Sequence, residues 1–132
     1  MGYQKDFDKW NYQKKGFDTR TLPLDFNFHE GEIWWMTLGA NISSEIDGKN
    51  DNFERPGLII KIISRQTLYI LPLTSKIRAD QYHAVISYAE RTGSVVFSQA
   101  RLISSKRLLR KIASVSKEQI LEVKAGFIES LK

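Results

Sequence analysis

The chain has 132 residues, 42% hydrophobic and 27% charged, with 20 lysines and arginines against 15 acids for a formal net charge of +5. That is one domain's length with enough apolar side chains for a core, which excludes a disordered chain and a pair of ordinary domains. Cysteine is absent, so disulfides, thiolate metal sites and a cysteine nucleophile are excluded.

Tyr3, Phe7, Trp10 and Phe17 recur at helical spacing, with Lys5, Asp8, Lys9, Lys14 and Lys15 between them. That spacing predicts an amphipathic helix ending near Gly16. Thr19 to His29, with Pro23, reads as an extended connector. Residues 1–30 are therefore expected to form a helical extension ahead of a domain spanning 31–132. The first residues lack a signal peptide's apolar region, and no apolar run reaches the length of a membrane span, so a cytoplasmic protein is expected.

Glu32 to Leu38 reads as an apolar, aromatic strand bounded by Gly31 and Gly39. Residues 40–55 are rich in Asn, Ser, Asp and Gly and predict a long loop, a feature that is uncommon in small domains and often functional. Leu58 to Ile63 and Thr67 to Leu73 read as strands of a hairpin, with Pro72 suggesting an edge or a bulge. Tyr82 to Tyr88 and Ser94 to Phe97 predict two more strands, Ser98 to Ile103 a helical turn, and Leu108 to Val115 a returning strand. Ser116-Lys117-Glu118-Gln119 is a capping box ahead of a helix whose stripe is Ile120, Val123, Phe127 and Leu131. The expected fold is mainly β with α: a small, partly open antiparallel barrel with a C-terminal helix and an extra N-terminal helix.

Familiar catalytic signals are sparse. His29 and His83 stand far apart and suit structural or surface roles better than metal ligation. No HExxH motif, phosphate-binding glycine loop or nucleophile elbow occurs. Trp34 and Trp35 can stack bases, but adjacent strand residues face opposite sides, which assigns at least one to the core. From Arg101 to Lys111 there are five cations (Arg101, Lys106, Arg107, Arg110 and Lys111) and no acid. A phosphate-binding patch and a solvated face account for them equally well. The hairpin should also set Arg55, at the start of one strand, near Thr74, at the end of the next. An arginine beside the hydroxyls of Thr74 and Ser75 and the ammonium of Lys76 makes a phosphate cradle. A salt-bridged arginine beside a turn threonine explains the same pattern more simply.

Several blocks in order carry a resemblance: Gly31-Glu32-Ile33-Trp34-Trp35, Leu38-Gly39-Ala40-Asn41-Ile42-Ser43-Ser44-Glu45, Asp47-Gly48-Lys49 and Arg55-Pro56-Gly57-Leu58-Ile59-Ile60. Leu71-Pro72-Leu73-Thr74-Ser75-Lys76, Gly93-Ser94-Val95-Val96, Gln99-Ala100-Arg101-Leu102-Ile103 and Lys106-Arg107-Leu108 continue it. From about Gly31 onward the chain resembles the MazF/PemK toxins of type II toxin–antitoxin systems. The resemblance implies an SH3-like, partly open barrel, a homodimer, and cleavage of single-stranded RNA without metal or other cofactor. It also implies a cognate antitoxin whose disordered segment covers the RNA groove. It assigns catalysis to Arg55 and its partner Thr74, with Glu45 as the acidic loop residue.

In the implied chemistry the RNA 2′-hydroxyl attacks the adjacent phosphorus, leaving a cyclic phosphate and a free 5′-hydroxyl. Arg55, which hardly deprotonates, suits charge stabilisation; Thr74 suits donation to a non-bridging oxygen; Glu45 suits the base. Lys49, Lys76 and Ser75 are candidates for phosphate contact, Asn41 for a base edge and Phe53 for stacking. Three departures stand out. Asn50-Asp51-Asn52-Phe53-Glu54 intervenes between the Gly-Lys and Arg-Pro pairs, Gly57 replaces a bulky apolar residue, and the N-terminal segment is additional. Two other readings compete: an inactive SH3-like module that binds RNA or a peptide, and a structural dimer with no nucleic-acid role. The pairing of Arg55 with Thr74 favours the ribonuclease, because a binding module needs neither.

Overall fold

The computed structural model describes residues 27–38 and 54–132. The expected N-terminal helix and most of the long polar loop, with Asn41, Glu45, Lys49 and Phe53, lie outside these residues. Seven strands are present: β1 (Glu32–Thr37), β2 (Glu54–Ile62), β3 (Thr67–Thr74), β4 (His83–Tyr88), β5 (Arg91–Val96), β6 (Arg101–Ser104) and β7 (Leu108–Ser114). Helix α1 (Lys117–Ser130) follows. The strands form one sheet in the order β4-β5-β3-β2-β1-β7, with β6 added along β3, and every pairing is antiparallel.

Side chains alternate between two cores because strand residues point to opposite faces in turn. Trp34, Met36, Ile59, Leu68 and Ile70 enter one core together with Ile103 of β6 and Leu108 of β7. β6 borders β3 and β7 borders β1, so their meeting in one core shows that the sheet curls back on itself. β4 and β7 remain its two ends, leaving the barrel partly open. Ile33, Leu58, Ile60, Leu71, Leu73 and Val95 face the other core, which α1 covers with Val123, Ile120 and Phe127. Each such large aliphatic side chain, fully buried, contributes roughly 1.5–3 kcal/mol of transfer free energy.

The helix start matches its capping motif: Ser116 Oγ accepts a hydrogen bond from the Gln119 amide at 3.1 Å, a cap of about 1 kcal/mol. Leu131 does not join the stripe. The helix ends at Ser130, and Leu131 caps it with 71% of its surface exposed.

Three further expectations need correction. β2 begins at Glu54 rather than Leu58, since β1 supplies a partner that extends it: Met36 pairs with Arg55, Trp35 with Pro56 and Trp34 with Gly57. Of the expected turn Ser98–Ile103, only the start is helical, within Phe97–Gln99; Arg101–Ser104 extends as β6 because β3 offers an open edge and Ile103 reaches the core. Pro72 lies in a central strand, not at an edge. Its outer neighbour changes there from β6, which pairs with Thr67–Ile70, to β5, which pairs with Leu73 and Thr74, so Pro72 falls between the two ladders.

The β4–β5 connection is a two-residue turn in which Ala89 (φ 44°) and Glu90 (φ 59°) are both left-handed. Such turns match strand twist but favour Asn and Gly. With Ala and Glu the strain is about 1–2 kcal/mol per residue.

Candidate active site

Gly57 pairs with Pro72 in the β2–β3 register, so two residues further out on each strand Arg55 comes opposite Thr74. Both line one cleft of about 400 Å³, together with Pro56, Leu73 and Ser75. Arg55 Nη1 donates to the Leu73 carbonyl at 3.1 Å, which holds the guanidinium beside the threonine. Thr74 Oγ1 accepts from the Lys76 amide at 3.3 Å, which orients the oxygen and leaves its O–H as a donor. Lys76 itself is exposed and does not line the cleft.

The two tryptophans separate by strand parity. Trp34 is buried at 6% exposure, its indole donating to Glu32 Oε1 at 3.0 Å. Trp35 is half-buried and lines the cleft. Two guanidinium groups lie on its ring, Arg110 at 5.2 Å and Arg91 at 5.9 Å from the centroid, within cation–π range. Arg110 also grips the buried Glu54 carboxylate with both arms, at 3.3 and 3.0 Å.

Tyr88, Arg91 and Thr92, from the β4–β5 hairpin, complete the cleft wall, and sequence reasoning did not single them out. Burial raises the Tyr88 phenol above its ordinary value, and the Arg91 charge partly offsets that. Among the described residues no carboxylate lines the cleft, so it favours an anionic occupant.

The basic stretch from Arg101 to Lys111 is largely engaged in structure. Arg101 Nη1 and Arg107 Nη1 donate to the carbonyls of Leu38 (3.5 Å) and Thr37 (3.1 Å), clamping the end of β1 where the polar loop departs. Burial lowers the Arg107 pKa, and the neighbouring Arg101 charge adds to the effect. Lys111 pairs with Glu32 at 3.0 Å. Neither a solvated face nor a phosphate patch describes the half-buried Arg101 and Arg107, whereas Lys111 remains exposed.

Of the histidines, His83 pairs with Asp80 at 2.7 Å and His29 with Glu32 at 3.3 Å. Gly57 leaves room for the Met36 thioether; a Cβ there would stand 2.5 Å from its sulfur.

Curled half-barrel and arginine–hydroxyl cleft together define a small, partly open antiparallel barrel with an anion-favouring cleft. The chain belongs to the family described as PemK-like, MazF-like toxins of type II toxin–antitoxin systems, which matches residues 29–131. No curated protein sequence matches the chain. Among solved structures it is similar to MazF from Deinococcus radiodurans (TM-score 0.66, 17% identity), covering 81% of this chain and 98% of that one. It is also similar to an endoribonuclease in complex with its cognate antitoxin from a mycobacterial species (TM-score 0.61, 15% identity, 80% and 95% covered). The MazE–MazF complex of Deinococcus radiodurans is a third (TM-score 0.62, 15% identity, 81% and 97% covered). Among the described residues no helix is long and apolar enough to cross a membrane.

Proposed function

We propose that the chain is a toxin endoribonuclease that cuts single-stranded RNA by metal-independent transesterification. The observation that carries this reading is the convergence of Arg55 and Thr74 on one cleft. The 2′-oxygen attacks phosphorus, the bond to the 5′-oxygen breaks, the departing oxygen takes a proton from water, and a cyclic phosphate and a 5′-hydroxyl result. Arg55 stabilises the charge added at phosphorus, and Thr74 donates to a non-bridging oxygen. Glu45 takes the 2′-hydroxyl proton. The pairing of Thr37 with Glu54 supports that role, since the strand ends from which residues 39–53 depart and to which they return lie next to Arg55. Asn41 reads a base edge, and Lys49, Ser75 and Lys76 contact phosphates.

On this reading the protein acts as a homodimer and a cognate antitoxin covers the cleft; similar folds solved in complex with an antitoxin support the antitoxin partner. Light scattering at micromolar concentration should give a dimer mass, and a monomer contradicts that assignment. The chemistry is tested by product ends. Incubation of single-stranded RNA with the protein in EDTA should yield 2′,3′-cyclic phosphate and 5′-hydroxyl termini; 5′-phosphate termini, or a requirement for metal, would overturn the mechanism.

A further inference from the structure

We infer that Arg91 forms a second backbone-phosphate subsite beside the one at Arg55, so that the cleft holds two successive phosphates of a single RNA strand. The inference rests on the ribonuclease reading and deepens it.

Arg91 opens β5 and pairs with Tyr88 across the tight Ala89-Glu90 turn. Residues directly opposite in an antiparallel pair project from the same face, and Tyr88 and Arg91 both line the cleft. The Trp35 ring lies 5.9 Å from the guanidinium. The indole thus helps orient the charge without neutralising it. Arg110, on the same indole, is instead paired in both arms with Glu54. Among the described residues Arg91 forms no ion pair with a carboxylate, and its side chain is exposed toward the cleft it lines.

A pre-oriented guanidinium loses less freedom on binding a phosphate than a mobile one. The cleft has room for more than the reacting group. Its volume of about 400 Å³ corresponds to about thirteen waters at roughly 30 Å³ each, well beyond one phosphate. Thr92, next to Arg91, and Ser75, next to Thr74, add hydroxyl donors at the two subsites.

The test is equilibrium binding of a 2′-O-methyl RNA oligonucleotide, which lacks the nucleophile and cannot be cut, across a series of salt concentrations. Each phosphate neutralised on a single strand contributes about 0.7 to the slope of log K against log salt. Arg91→Gln should lower that slope by about 0.7, and Arg91→Lys should preserve it. An unchanged slope in Arg91→Gln, with wild-type RNA cleavage intact, overturns the subsite and leaves the ribonuclease reading standing. Full wild-type binding with the predicted Arg91→Gln slope but no cleavage of ordinary RNA supports the subsite and overturns the ribonuclease reading. Absence of wild-type binding overturns both.

Discussion

Gly93 packs against the carbonyl oxygen of Thr74 so closely that a Cβ at position 93 would stand 2.4 Å from it. The contact is with backbone, so neither side can yield by rotating a side chain. Gly93→Ala should therefore cost about 1–3 kcal/mol of stability, as overpacking does, and displace Thr74 from Arg55. Cleavage should fall more than the melting temperature suggests. Gly57→Ala is the control: it meets the flexible Met36 side chain and should leave more activity. Wild-type cleavage and melting in Gly93→Ala would contradict the account of how Thr74 is placed.

Glu32 predicts the acid limb of stability. Burial pushes its carboxyl up, but donors from the Trp34 indole, Lys111 and the His29 amide outweigh burial and hold it below its ordinary 4.5. The Lys124 hydrogen bond likewise lowers Glu30. A carboxylate whose folded pKa is depressed stabilises the fold fully above its unfolded value. That stability should be lost as pH falls from about 4.5 through the lower folded value. Glu32→Gln should flatten this decline in melts taken between neutral and acid pH, and a decline as steep as wild type excludes Glu32 as a principal cause.

Much of this arrangement was legible in the chain. The Arg55–Thr74 encounter follows from hairpin register alone, and the two tryptophans divide by strand parity, although parity does not say which one enters the core. The β4–β5 hairpin was harder, because Ala89-Glu90 is not the Asn-Gly type of pair that signals such a turn; Tyr88 and Arg91 therefore carried no mark of proximity to Arg55. β6 was hidden because the strand character of Leu102-Ile103 emerges only when β3 offers an edge. The roles of Arg101 and Arg107 depend on backbone carbonyls at the end of β1, which no residue pattern records.

Phe53 is the one large apolar side chain in the polar stretch Asn50-Asp51-Asn52-Phe53-Glu54. It is proposed as a partly exposed anchor that stacks on an RNA base or holds the segment beside Arg55. Phe53→Ala should weaken RNA binding or alter cleavage preference by about 1–3 kcal/mol, the worth of base stacking, with little change in melting temperature. A stability loss of about 3–5 kcal/mol with an unchanged cleavage pattern would make it a core residue instead.

The most direct test of the central claim compares wild type with Arg55→Ala on a long single-stranded RNA in EDTA. Loss of one preorganised donor to a developing oxyanion costs about 10²–10³ in rate. Wild type should cut without metal, and Arg55→Ala should be slowed by at least that factor while its melting temperature stays close to wild type. Full cleavage by a folded Arg55→Ala variant would contradict the assignment of the chemistry to this cleft.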